Sequence, residues 1–287
     1  MLTDIKTVFL PTDFSENANQ ALPYAAELAL ITNATLTLMY CVEEPFDFAP
    51  MVADKKEKIV EKVTARFEKL VADLKKKKRF KDLKVETKLL SGHPVVNIVE
   101  EGKADKKGVI VMGTKGATQS RNLIFGSFTT ETILQSNIPV LAVPEGSSFN
   151  KFKQIVFTTD FHESDLDILS EVVELTQLFN SKIRVVHIAR KKSLETEIKF
   201  RGFRELVKEK HPDAKFTFDL AFEDDFFTGI ADYLDDHPAD LLVMVRYKKT
   251  FWESLVSRSF TKELGFYSEV PLLVLVGNEI RETEKVT

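Results

Sequence analysis

The residues of this chain best suited to chemistry are three glycines and the polar side chains between them: Gly113-Thr114-Lys115-Gly116, then Gly126-Ser127. Glycine lets a backbone approach an anion closely, and Lys and Ser side chains donate to phosphate oxygens. Before them runs Val109-Ile110-Val111-Met112, an apolar stretch suited to a strand buried on both faces. After them, Phe128 to Leu134 reads as the first turns of a helix. Strand, glycine loop and helix start together form a phosphate cradle, because the unpaired N–H groups of a helix N-terminus point at the anion. Taken as glycines alone, the pattern also fits an ordinary strand-to-helix turn. Two other phosphate loops are excluded: Gly116 is followed by Ala117-Thr118 rather than a Lys-Ser/Thr pair, and no G-x-G-x-x-G occurs.

No second constellation competes with it. Of the five histidines, His93, His211 and His237 precede proline, and none joins a His/Cys/Asp cluster with metal-ligand spacing. The single cysteine, Cys41, excludes an internal disulfide and suits a reducing compartment. Ser127 does not sit in a G-x-S-x-G elbow. The residues therefore favour binding over dedicated catalysis. A net charge of −4 offers no basic face for nucleic acid, and the run Lys75 to Lys78 fits a solvated helix end. No apolar run reaches membrane-spanning length, and MLTDIKTVFLPTD lacks a basic start followed by an apolar stretch. A cytoplasmic protein without membrane contact is the expectation.

The elements that position the cradle alternate between strand and helix. Ile5 to Leu10 is a strand closed by Pro11-Thr12-Asp13-Phe14-Ser15, where Ser15 caps a helix carrying apolar residues at helical spacing from Ala18 to Ala29. Ala34 to Val42 is a second strand, and Lys55 to Lys77 a long amphipathic helix. Lys84 to Leu90, Val109 to Met112 and Val140 to Val143 supply three more strands, with a short helix over Pro94 to Glu101. Alternation of this kind implies a parallel sheet covered on both faces. From Lys151 the pattern repeats. Ile155 to Phe161 echoes Val8 to Phe14, with Asp160 in the place of Asp13, and Lys182 to Ile188 echoes Thr35 to Cys41. Val243 to Leu264 aligns without gaps onto the glycine stretch, and Pro271 to Val276 onto Pro139 to Val143. With 287 residues, two tandem domains over 1–148 and 151–279 are expected.

The copies differ at the cradle. Val245, Lys248 and Arg258 replace Gly113, Gly116 and Gly126, while Ser259 keeps the place of Ser127. A valine with φ above zero would be strained, and larger side chains would occupy the anion's space. One site per chain follows, unless Lys248 and Arg258 hold an anion by charge instead.

The spacing Gly113-x2-Gly116-x9-Gly126-Ser127 resembles the ATP-binding signature of the universal stress protein family. Pro11 to Ser15, Leu38-Met39-Tyr40-Cys41-Val42 and Pro139 to Pro144 are further points of likeness, which extends over nearly all of both halves. The resemblance implies two doubly wound α/β domains, each a five-stranded parallel sheet flanked by helices. It implies Asp13 on the ribose side of the nucleotide, with Pro11 and Thr12 beside it, and Cys41 at the adenine. Met112 would line the floor, and Gly113, Lys115, Gly116, Gly126, Ser127, Phe128 and Thr129 would hold the phosphates. Ligands of open parallel sheets lie at the carboxyl ends of the strands, which is where Asp13 and Gly113 fall. Asp13 alone fits a turn or capping carboxylate equally well. The ligand implied is ATP, with Mg²⁺ where the phosphates carry it, and ADP or AMP as alternatives. Slow ATP hydrolysis is the most catalysis that would follow. Family dimers form through the last strands of their sheets, so the likeness implies intramolecular pairing of Val140 to Val143 with Leu272 to Val276, and leaves open a homodimer of whole chains. A stress-response switch is the function implied; a scaffold in which the glycine loop is only structural is the alternative.

Overall fold

The computed structural model describes residues 2–42, 52–114, 126–149, 151–247 and 270–277. Strand β1 (Thr7–Pro11) leads into helix α1 (Glu16–Thr32), followed by β2 (Thr35–Val42), α2 (Val52–Lys76), β3 (Val85–Ser91) and α3 (Pro94–Ala104). β4 (Gly108–Gly113), α4 (Ser127–Gln135) and β5 (Val140–Val143) complete the first half. The second half runs β6 (Gln154–Thr158), α5 (Asp165–Phe179), β7 (Lys182–Ala189), α6 (Leu194–Lys210), β8 (Phe216–Phe222), α7 (Phe226–Asp236), β9 (Leu241–Arg246) and β10 (Leu272–Val276).

All ten strands share one sheet, in the order β3-β2-β1-β4-β5-β10-β9-β6-β7-β8. Within each half the pairs are parallel, as the strand-helix alternation requires. The seam between the halves is the one antiparallel pair among the described residues, β5 with β10, with Leu272 opposite Ala142 and Val274 opposite Val140. The order also locates the switch point. From β1 the chain winds outward through β2 and β3, then returns to place β4 on the other side of β1. In open α/β sheets the ligand crevice lies at such a point, here the carboxyl ends of β1 and β4.

Side-chain alternation divides the core into two layers. Val8, Leu10, Leu36, Leu38, Val109 and Val111 face the layer under α1 and α2, which continues across the seam through Leu141, Leu273 and Leu275 to α5. Phe9, Met39, Ile110 and Met112 face the layer under α3 and α4, which continues through Val140 and Val274 to α7. Every residue of β4 is buried, and each fully buried Val or Ile contributes about 1.5–3 kcal/mol. The link between halves is packed by aromatics: Phe152 meets Phe149 at 5.5 Å and Phe179 at 5.1 Å, and Phe149 meets Tyr24 at 5.1 Å. Part of the high phenylalanine content is thus core packing.

The two halves match in backbone conformation. Phe14 and Phe161, each following the aligned aspartate, have φ of 61° and 57°. Asn33 and Asn180 close α1 and α5 with φ of 54° and 52°. Asparagine tolerates this left-handed state at a helix end, whereas phenylalanine adopts it only when its surroundings impose it. Phe14 is held by rings on both sides, stacked on Tyr40 at 5.4 Å and edge-on to Phe67 at 5.2 Å. Phe161 sits 4.2 Å from the ring of His187, at the position aligned with Tyr40.

Candidate functional site

The crevice is built from three short stretches. At the end of β1, the Thr12 N–H donates to the Met39 carbonyl (2.8 Å), tying the loop to β2. The Thr12 hydroxyl accepts from the Phe14 N–H (2.9 Å), and the exposed Asp13 carboxylate accepts from the Ser15 N–H (2.8 Å). Ser15 then caps α1 by accepting from the Ala18 N–H (3.2 Å). This chain of local bonds fixes the turn and leaves Asp13 at the protein surface. Asp13 is therefore a turn carboxylate in this structure.

At the end of β4, Gly113 packs against the first turn of α1. A Cβ placed on Gly113 would lie 2.8 Å from the Asn17 carbonyl oxygen and 3.1 Å from its carbon. Its backbone is not in the left-handed region, which among the described glycines only Gly92 and Gly146 occupy. The expectation of a positive φ is thus corrected: glycine is required here by close approach of two backbones. Thr114 is buried; its N–H donates to the Val143 carbonyl (2.9 Å) and its carbonyl accepts from the Gly126 N–H (2.5 Å).

That last bond seats the third stretch. Gly126 is the N-cap of α4 with φ −67° and ψ 159°, and as a glycine it offers no side-chain cap of its own. The buried Thr129 hydroxyl donates to the Gly113 carbonyl (2.9 Å), so the first turn of α4 is bolted to the end of β4. Ser127 is exposed on that turn, and Phe128 lies beside His93 with ring centroids 6.0 Å apart. The arrangement presents a helix N-terminus, with its partial positive charge, at the switch point of the sheet.

Of the residues singled out in the sequence, Pro11, Thr12, Asp13, Met112, Gly113, Gly126, Ser127, Phe128 and Thr129 come together here. Met112 lies in the core layer under α4. Cys41 is partly buried near the end of β2, paired with Leu90 and on the same face as Met39 by alternation. Lys115 and Gly116, and in the second half Lys248, Arg258 and Ser259, lie outside the described residues. Sequence reasoning named Thr114 only as part of the glycine loop, with no role of its own, and missed the Asn17 backbone. A threonine directly after the strand-ending glycine was the available signal for the first; the second has none, because it acts through its peptide group.

In the second half, described side chains pack together at the aligned position. Tyr247, aligned with Lys115, donates its hydroxyl to the Asp165 carboxylate and stacks on His162 at 4.0 Å. Asp165 also accepts from the Thr159 hydroxyl (2.6 Å) and from the Asp160 and His162 N–H groups (3.2 and 3.1 Å). Burial raises the Asp165 carboxyl above its ordinary value, against these bonds. Burial, followed by the neighbouring carboxylate, pushes the Tyr247 hydroxyl well above the usual tyrosine range. Helix α5 begins at Asp165, the fifth residue after Asp160, whereas α1 begins at Glu16, the third after Asp13. The later start provides room for Val245 and Tyr247 where Gly113 meets the Asn17 backbone in the first half. His187 anchors this loop, its Nδ1 2.7 Å from the Thr159 carbonyl.

Among the described residues, no group of three His, Cys, Asp or Glu could hold a metal, and no helix is long and apolar enough to cross a membrane.

Fold and site together define a doubly wound α/β protein with its crevice at the carboxyl ends of the strands. Residues 4–144 match the universal stress protein family. Universal stress protein MJ0531 of Methanocaldococcus jannaschii is 30% identical over 139 residues, which cover 48% of this chain and 81% of that protein. Universal stress protein MJ0577 of the same organism is 27% identical over 157 residues, covering 50% of this chain and 97% of that protein. The chain belongs to the universal stress protein family. A universal stress protein from Archaeoglobus fulgidus shares the fold along nearly the whole chain, with a TM-score of 0.74 at 16% identity over 96% of this chain and 98% of that one.

Proposed function

We propose that the first half binds one adenine nucleotide per chain, ATP in preference, with its phosphates over the first turn of α4. The observation that carries this reading is the N-terminus of α4, opened by a glycine and bolted to the end of β4 at the sheet's switch point. Asp13 accepts from the ribose hydroxyls, Cys41 borders the adenine, and Met112 forms the floor. Gly113, Gly126, Ser127, Phe128 and Thr129, with Lys115 and Gly116, surround the phosphates. Mg²⁺ enters with the phosphates, its usual partners. Residues 1–148 and 151–279 act as two domains paired through β5 and β10, and nucleotide occupancy biases a cytoplasmic stress-response switch. The second domain, with Tyr247 and Asp165 packed together at the aligned position, takes no nucleotide.

Calorimetric titration of Mg-ATP into the nucleotide-free chain and into Gly126→Arg tests this. The wild type binds; the variant, carrying the second half's own residue at a buried position, does not, while its circular dichroism is unchanged. Equal binding by both removes the phosphates from α4. A second reading, a scaffold without nucleotide, is favoured by one observation: the Gly126 N–H and the Thr129 hydroxyl are both spent on carbonyls at the end of β4. Absence of binding in the wild type supports that reading.

A further inference from the structure

Arg246 ends β9 opposite Val276 of β10, at the position aligned with Thr114, and only 1% of it is exposed. A buried guanidinium is costly unless its donors are used. It crosses the seam and donates from Nη2 to the backbone carbonyl of Ser136 in the other half. Ser136 is the C-cap of α4 and is itself buried; its N–H donates to the Thr132 carbonyl (2.9 Å) and its hydroxyl to the Ile138 carbonyl (2.7 Å). Its own carbonyl is one of those a helix C-terminus leaves without an intrahelical donor. The cation thus sits at the negative end of the macrodipole of the helix whose positive end faces the crevice.

Helix α4 is short. Its nine residues span about 14 Å, and both ends are tied: the N-terminal turn to Gly113 and Thr114, the C-terminal cap to Arg246. A helix of this length moves as a unit, so a shift at Ser136 reaches Gly126. From this geometry we infer that Arg246 is a positioning residue for the phosphate site of the opposite half, acting through α4, and that nucleotide affinity in the first half is linked to docking of the second. The inference rests on the nucleotide reading above. It gives the second half a part in that site.

The test uses the full chain in three forms: wild type, Arg246→Met and Arg246→Lys. Linkage makes the effect reciprocal. Mg-ATP affinity measured by calorimetry should fall about fivefold to tenfold in R246M, within the ordinary range of such couplings, and R246K should recover part of the loss. In the wild type, saturating Mg-ATP should slow amide exchange in β9 and β10; in R246M that slowing should vanish. A purely structural role would lower the melting temperature of R246M and leave both readouts unmoved. Affinity within twofold of wild type in a folded R246M overturns the inference, as does β9 exchange indifferent to nucleotide in the wild type. The second result needs no variant and decides the matter if R246M does not fold. No Mg-ATP binding by the wild type is a separate outcome, which removes the nucleotide reading and this inference with it.

Discussion

Replacing Gly113 by alanine tests the packing that shapes the crevice. The added Cβ would lie 2.8 Å from the Asn17 carbonyl oxygen, about 0.6 Å inside an ordinary contact distance of 3.4 Å. The neighbour is backbone in the first turn of α1, which cannot rotate aside as a side chain would. Either that turn or the end of β4 must move, and both carry site residues. Overpacking of this kind costs about 1–3 kcal/mol. At about 3 °C per kcal/mol for a unit of this size, the melting midpoint should drop by roughly 3–9 °C. The displaced turn begins three residues after Asp13, so Mg-ATP affinity should fall by about tenfold, or 1.4 kcal/mol. Gly202→Ala is the control: in α6 the same methyl meets no atom within 4 Å, and the change should stabilise by about 0.5–1 kcal/mol. Differential scanning calorimetry and a nucleotide titration read both quantities. A G113A chain with wild-type midpoint and affinity would refute the reasoning that close approach fixes this glycine.

Three further expectations concern the repeated features. Tyr247→Phe removes the hydroxyl donor to the buried Asp165 carboxylate and should cost about 1–3 kcal/mol in urea unfolding; an unchanged midpoint would show that this bond adds nothing to stability. The Asp165 carboxyl is raised by burial above its ordinary 3.8, so the folded chain holds this proton more tightly than the unfolded chain. Its contribution to stability therefore falls as pH rises from 3.8 through the raised value. Relative to Asp165→Asn, the wild type should gain stability on acidification through that window, and a loss on acidification would contradict the assignment. Asn33→Ala forces alanine into a left-handed helix end at φ 54° and should cost about 1 kcal/mol, read by urea unfolding; Asn33→Gly should be close to neutral.

Much of this architecture was legible in the sequence. The apolar runs marked the strands, because strands buried on both faces admit little else. Gly113-x2-Gly116-x9-Gly126 marked the strand-to-helix turn, and the second copy of Val8 to Phe14 exposed the duplication. What stayed hidden depends on contacts between distant residues. The reason for glycine at 113 lies in the Asn17 backbone, which carries no side-chain signal. Phe14 and Phe161 adopt a backbone state that phenylalanine does not favour, imposed by rings from β2, β7, α2 and α6. Alignment set Tyr247 opposite Lys115, yet only the late start of α5 brings Asp165 to meet it. Arg246 reads in sequence as one more strand-end cation; its partner carbonyl belongs to the other half.

The account turns on one nucleotide held by the first half alone. Native mass spectrometry of the nucleotide-free chain with a graded excess of Mg-ATP measures this directly. The account predicts a single added nucleotide per chain, lost in Gly126→Arg and kept in Tyr247→Phe. Two nucleotides per chain, or none, would contradict it.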